Sequence, residues 1–255
     1  MLGSAVLIGV VWAASQILPK RHDPWYYFFI LCSWTCMVDL ALLLETIGLA
    51  DDRFELWLKI AEPYLDTTWG ASVNLIDATV HYVLYMVMIK RQLEGKSYDK
   101  LGLFWAGSIL NSMSVLLGSA YLGHADGTHE IKAGISLNIP YLILPTLFFL
   151  QQLFVVPEAT EAAPRQTPIT ARLLPSAFLF IGGLVNLTAA PLLALNLECS
   201  NVFTKAQYYA GFAFTILLIN LQLEGSAQRG KKMAYFTFGQ AGHALLSTFL
   251  HCGVL

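Results

Sequence analysis

The sequence predicts an all-α protein, a polytopic membrane bundle of about eight transmembrane helices at about 20 residues per span. Two observations predict it. The 255 residues are 56% hydrophobic and only 13% charged, against about 25% charged in soluble domains, and mean hydropathy is +0.58. Apolar stretches of span length also recur, separated by short polar connections. A net charge of −2 gives no electrostatic case for binding nucleic acid.

Residues 2–18 form an apolar run that ends at Pro19. The run is short for a span and lacks the basic start of a signal peptide, although Ala13-Ala14-Ser15 suits a signal peptidase. The preferred reading is a retained helix within residues 1–22. Asp23-Pro24-Trp25-Tyr26-Tyr27 reads as a turn followed by an aromatic belt at the interface. A second span is expected over residues 28–49, with Asp39 near its middle and Glu45 nearer its end. Residues 51–62 read as an amphipathic surface helix, with Phe54, Trp57, Leu58 and Ala61 on one face. Pro63 ends it.

A third span follows at residues 68–89, with Asp66 or Thr67 as its N-cap. It holds Asn74, Asp77 and His81, whose spacings of three and four place them on one helix face. Ionisable groups in a span usually face a bundle interior or a water-filled cavity. Two readings stand side by side: an Asp–His pair that locks helices together, and a ligand or proton-handling site.

Residues 90–100 form a basic loop before a fourth span at residues 101–122. That span is rich in small and polar residues, Gly107, Ser108, Asn111, Ser112, Ser114 and Gly118, which let helices approach closely. Two histidines and two acids lie in the loop of residues 123–130. Spacing in a loop does not fix ligand geometry, so neither a metal nor a cofactor is predicted. A fifth span at residues 135–156 contains Pro140 and Pro145, which free backbone carbonyls and bend a helix. Residues 157–173 read as a linker, and three further spans follow at 174–195, 208–223 and 234–252. Cys32 and Cys36 lie one helical turn apart in an apolar run, which favours packing. No structural disulfide is expected, although Cys199 suits an oxidising lumen.

Basic residues set the orientation. Odd-numbered connections hold eleven of them: Lys20, Arg21, Lys90, Arg91, Lys96, Lys100, Arg165, Arg172, Arg229, Lys231 and Lys232. Even-numbered connections hold four: Arg53, Lys59, Lys132 and Lys205. The excess predicts cytoplasmic odd connections and lumenal termini.

One ordered series of segments is specific. Asp23-Pro24, Val38-Asp39-Leu40, Glu62-Pro63-Tyr64-Leu65, Asp77-Ala78-Thr79-Val80-His81-Tyr82, Gly102-Leu103-Phe104-Trp105-Ala106-Gly107-Ser108 and Ile139-Pro140-Tyr141-Leu142-Ile143-Leu144-Pro145 follow one another. Over residues 23–150 the chain thereby resembles the first EXPERA domain of the transmembrane 6 superfamily. The EXPERA group also includes the emopamil-binding protein, a sterol isomerase, and the sigma-2 receptor. The resemblance implies an EXPERA-type bundle over residues 23–156 in an endoplasmic-reticulum membrane protein concerned with sterols and neutral lipids. Residues 174–255 then read as a degenerate or incomplete second unit, whose Glu-Pro-Tyr-Leu motif is missing.

Two functions are weighed. In the first, the spans of residues 28–156 enclose a cavity that binds a sterol or another isoprenoid or neutral lipid. Asp39 and Asp77 anchor its polar or cationic group, and Glu62, Asn74, His81, Asn138 and Tyr141 are further ligand contacts. In the second, the protein is an isomerase or cyclase with Asp39, Asp77 and His81 as catalytic candidates. Moving a double bond needs an acid, a base and negative charge near the intervening cation, and Glu62 is also chemically able to contribute. Against this reading, Met37-Val38-Asp39-Leu40 stands where the isomerase has its His-and-Glu pair, and Asp77 stands where it has Glu. Asn138 still matches an Asn of the isomerase's last helix. The implied partners are a sterol-like or isoprenoid molecule, membrane lipid and, as an open alternative, a second copy of the chain.

Overall fold

A computed structural model describes residues 23–51, 53–122, 138–155 and 227–253, and every element among them is helical. Three helices are long and apolar enough to cross a membrane: Pro24–Thr46, Thr68–Leu93 and Asp99–Gly118. Residues 139–154 form a shorter apolar helix. The spans expected at 2–18, 174–195 and 208–223, and the linker at 157–173, lie outside the described residues. The described chain divides into two units. The first takes in residues up to Phe54 together with Asn74–Tyr98, and the second takes in Glu55–Val73 and the chain from Asp99.

In the first unit, α1 runs from Pro24 to Thr46. It starts four residues before the sequence reading placed it, because Asp23 and Pro24 open a helix rather than a preceding turn. Asp23 Oδ1 accepts the Trp25 N–H at 3.0 Å, and proline suits the first helical position, where an N–H has no partner to lose. Gly48, with φ +73°, ends the helix as glycine does at such positions. Tyr26, Phe29, Cys32 and Cys36 are buried along one face. Cys32 and Cys36 are buried thiols, as packing residues should be. Phe29 packs against Tyr85 at 6.0 Å between ring centroids and edge-to-face with Tyr98 at 5.8 Å.

The ends of α1 are tied down by carboxylates. Asp23 Oδ2 accepts from Gln92 Nε2 at 3.0 Å and from the Tyr98 hydroxyl at 2.5 Å. Both Glu45 oxygens accept the Phe54 N–H, at 3.0 and 2.8 Å.

In the second unit, the expected surface helix is confined to α2, Glu55–Ile60. A 3₁₀ turn at Pro63–Asp66 leads into the long helix α3, Thr68–Leu93, whose C-terminal part from Asn74 belongs to the first unit. Thr67 caps α3: its hydroxyl accepts the Gly70 N–H at 3.1 Å. Gly70 admits the turn to the helix, since a Cβ there would strike the Tyr64 carbonyl.

The core of this unit is built from α4 (Asp99–Leu122), α5 (Ile139–Leu150) and α6 (Ala227–Gly253). A π-helical turn, Gln151–Val155, continues α5. Phe148 meets Trp105 edge-on at 6.1 Å, and Phe149 stacks on Phe236 at 4.0 Å. Lys232 Nζ donates to the Gln152 carbonyl at 2.5 Å. Moving up α5 from Phe149 to Gln152 therefore moves down α6 from Phe236 to Lys232, so the two are antiparallel.

α4 and α6 are parallel. Lys100 Nζ lies 5.5 Å from the Tyr235 ring centroid, and Ser108 Oγ lies 3.2 Å from His243 Nδ1. Both pairs are 135 residues apart (235 − 100 and 243 − 108), the mark of one shared register. Between them Gly107 meets the Phe236 carbonyl and Gly239 meets the Phe104 carbonyl, each so closely that a Cβ would collide with it. Membrane helices are held together by such small-residue contacts, because burial against lipid-like neighbours gives no hydrophobic gain.

Candidate functional site

The Asp77–His81 pair sits in a local departure from α-helical geometry. Asp77–His81 is a π-helical turn inside α3. The Tyr82 N–H reaches back five residues to the Asp77 carbonyl, so the turn holds one residue more than an α-turn. Such turns occur often at functional sites. The His81 side chain is fully buried, Asp77 is 22% exposed, and His81 Nδ1 is in close hydrogen-bond contact with Asp77 Oδ1. A carboxylate oxygen can only accept, so this contact orients the ring with Nδ1 toward Asp77. The pair thus has the parts of an oriented base.

Asp39 lies on α1, and Asp77 lies in the turn of α3 that packs against α1 in the first unit. Asn74, three residues before Asp77, is 2% exposed, and its Nδ2 has no hydrogen-bond partner among the described residues. A buried amide donor of this kind stands ready for a carbonyl or hydroxyl oxygen.

The second unit gathers a different set. Glu62 is buried at the turn between α2 and the 3₁₀ segment. Its Oε1 accepts from Asn138 Nδ2 at 2.7 Å and from the Tyr64 hydroxyl at 3.1 Å. Its Oε2 accepts from Trp57 Nε1 at 2.9 Å. Burial raises the Glu62 pKa above the ordinary carboxylate value, and the three donors, Asn138 foremost, pull it back. Both oxygens are positioned, so Glu62 presents a fixed carboxyl rather than a mobile one. Tyr141 is half-buried on α5, three residues after Asn138.

Of the seven residues proposed from sequence, Asp39, Asn74, Asp77 and His81 fall in the first unit, and Glu62, Asn138 and Tyr141 in the second. The helical spacing anticipated the Asp77–His81 contact. The sequence reading did not identify Trp57 and Tyr64 as partners of Glu62. Their signal was there: an indole N–H five residues before a buried acid, and a phenol two residues after it. No cluster of three metal-binding side chains occurs among the described residues, and the loop of residues 123–130 lies outside them.

Comparison with known proteins places these residues in a wider group. The family model described as "Transmembrane 6 superfamily member 2-like, transmembrane domain" matches residues 1–163. Transmembrane 6 superfamily member 2 of Homo sapiens is 35% identical over 147 residues, which are 56% of this chain and 38% of that protein. The Rattus norvegicus protein of the same name is 34% identical over 148 residues, 57% of this chain and 39% of that protein. The chain thus matches about two fifths of the length of these curated relatives. No solved structure matches.

Proposed function

Because the chain belongs to the transmembrane 6 superfamily member 2-like family, we propose that this membrane protein binds a sterol or another isoprenoid or neutral lipid through intramembrane acids. The observation that carries the reading is the α1–α3 seam. There Asp77 is held against the buried His81 in a π-helical turn, and that turn packs on α1, the helix that carries Asp39. An aspartate at bilayer depth costs about 2.5–3.5 kcal/mol to insert. Two on one seam suit a ligand that brings a cationic or polarised group to them. Asn74 offers a hydrogen-bond donor beside them. Glu62 and Asn138, joined to each other, and Tyr141 are proposed as ligand contacts of the second unit.

The endoplasmic reticulum is the proposed membrane, with both termini lumenal. The parallel packing of α4 and α6 supports that orientation. It brings the start of α4 at Lys100 and the start of α6 at Arg229, Lys231 and Lys232 to one side, and both starts follow connections that the basic-residue excess assigns to the cytoplasm.

The alternative is an isomerase or cyclase that moves a proton on a sterol or terpenoid. The oriented Asp77–His81 pair favours it, since an imidazole held by a carboxylate is a common general base. One experiment separates the two readings. Purified protein is titrated with an amine-bearing sterol mimic, then incubated with the unsaturated sterol itself. Saturable binding without a shifted double bond supports the lipid-binding reading, and turnover supports the enzyme. Absence of both removes the reading.

A further inference from the structure

The seam between α4, α5 and α6 carries buried polar groups that the acid-based reading does not use. Gln240 is fully buried, and neither its amide oxygen nor its amide nitrogen has a hydrogen-bond partner among the described residues. Neighbouring contacts place it. Phe236, one turn earlier on α6, stacks on Phe149 of α5. His243, three residues later, meets Ser108 of α4, and Gly107 of α4 lies against the Gln240 backbone nitrogen. α5 runs antiparallel to α6, so the buried Pro145, one turn before Phe149, comes level with Gln240. The amide therefore lies at a three-helix junction.

The chemistry of the junction selects its ligand. Among the described residues its buried polar groups, Ser108, Asn111, Ser112, Thr237 and His243, include no carboxylate, lysine or arginine to balance an ion. Ser112 Oγ is buried and likewise has no partner among the described residues. A primary amide sets an acceptor and a donor side by side. A hydroxyl satisfies both at once, giving its proton to the amide oxygen and accepting from the amide nitrogen. Burying an amide with both ends unmade is strongly unfavourable, and a hydroxyl removes that penalty. We infer that Gln240 receives a neutral hydroxyl in the α4–α5–α6 junction, supplied either by water or by a membrane-borne alcohol. The site shares no residue with the acid-based reading and stands or falls without it.

The test uses the full chain in lipid nanodiscs. Hydroxyl-radical footprinting in H₂¹⁸O reports bound water. A diazirine-bearing cholesterol and a diazirine-bearing diacylglycerol, each competed by its unlabelled parent, report an alcohol. For the wild type, the expectation is either ¹⁸O incorporation at Phe236 or His243 that survives delipidation, which identifies water, or a competed photo-adduct on α6, which identifies a lipid. Gln240→Leu, similar in volume and without the amide, should lose that signal. Should Gln240→Leu not fold, Gln240→Asn, which withdraws the amide by one methylene, is read in the same way. The inference is overturned if the wild type gives neither signal, or if the signal persists unchanged in the folded variant. Higher thermal stability of Gln240→Leu with no wild-type signal would mark the amide as unmade.

Discussion

Asn138 Nδ2 donates to Glu62 Oε1 at 2.7 Å, across 76 residues of chain. This bond joins the start of α5 to the turn that introduces α3. Burial raises the Glu62 pKa, and Asn138 is the donor that does most to hold the carboxyl ionised against it.

The pH dependence follows from burial. Glu62 has a folded-state pKa above its unfolded value, so within that window the folded protein holds a proton that the unfolded chain has lost. Stability from this group is fully present below the unfolded pKa and is lost as pH rises through the folded pKa. Thermal unfolding in detergent should therefore show a midpoint that falls across this window in the wild type and is flatter in Glu62→Gln. Equal slopes in the two proteins would contradict the burial effect.

Removing the Asn138 donor should raise the Glu62 pKa further. Asn138→Ala is expected to extend the fall in stability to higher pH and to destabilise the turn by about 1–3 kcal/mol, as for a buried acceptor that loses a partner. The same pH series measures both effects. A curve superimposable on the wild type would show that the contact carries no energy.

Asp39→Asn and Asp77→Asn test the anchoring role. Both keep hydrogen-bonding capacity and remove charge, so both variants should stay folded in membranes. Each should lose affinity for an amine-bearing sterol mimic by about 10–100-fold, or 1.4–2.8 kcal/mol. Radioligand titration reads the change. Unchanged affinity in both variants would return the acids to a purely structural role.

The glycine crossing makes the next prediction. A side chain at Gly107 or Gly239 would meet the facing backbone rather than a movable side chain. Gly239→Val should therefore destabilise the α4–α6 pair by about 1–3 kcal/mol, as overpacking does. Gly242, whose added Cβ would meet only the Phe104 ring at ordinary contact distance, should tolerate Ala. Thermal melts of the two variants make the comparison, and equal losses would argue against the crossing.

Orientation is tested from the same helices. Lys100 and Lys232 mark the starts of two parallel helices. Cysteines placed at both positions, in a background lacking native cysteines, should react with an impermeant maleimide added outside sealed microsomes. Reaction at one position and protection at the other would break the parallel assignment. Protection at both would reverse the orientation.

Much of this was legible because lipid makes simple demands on a chain. Apolar length located α1, α3 and α4, and helical spacing brought Asp77 to His81. What escaped the reading depends on local geometry. Periodicity alone put the start of α1 at residue 28 and missed that Asp23 and Pro24 are a cap and a first turn. The partners of Glu62 converge through a 3₁₀ turn and a contact from a distant helix, and no linear spacing encodes that convergence. The α4–α6 register required two glycines 132 residues apart (239 − 107) to be recognised as each meeting the backbone of the opposite helix.

The π-helical turn at Asp77–His81 also acts as a phase setter. One surplus residue advances everything beyond it by about 100° around the helix axis. Tyr85 and Met88, which lie beyond the turn, are buried against the first unit, and Tyr85 rests on Phe29. Deleting Ala78 would restore an ordinary helix and swing those two side chains away from α1, with no contact residue altered. For residues 82–93, the tally of amino acids between Asp77 and His81 therefore matters as much as their identity, and a family alignment that slips by one position there would assign the wrong face to a whole half-helix.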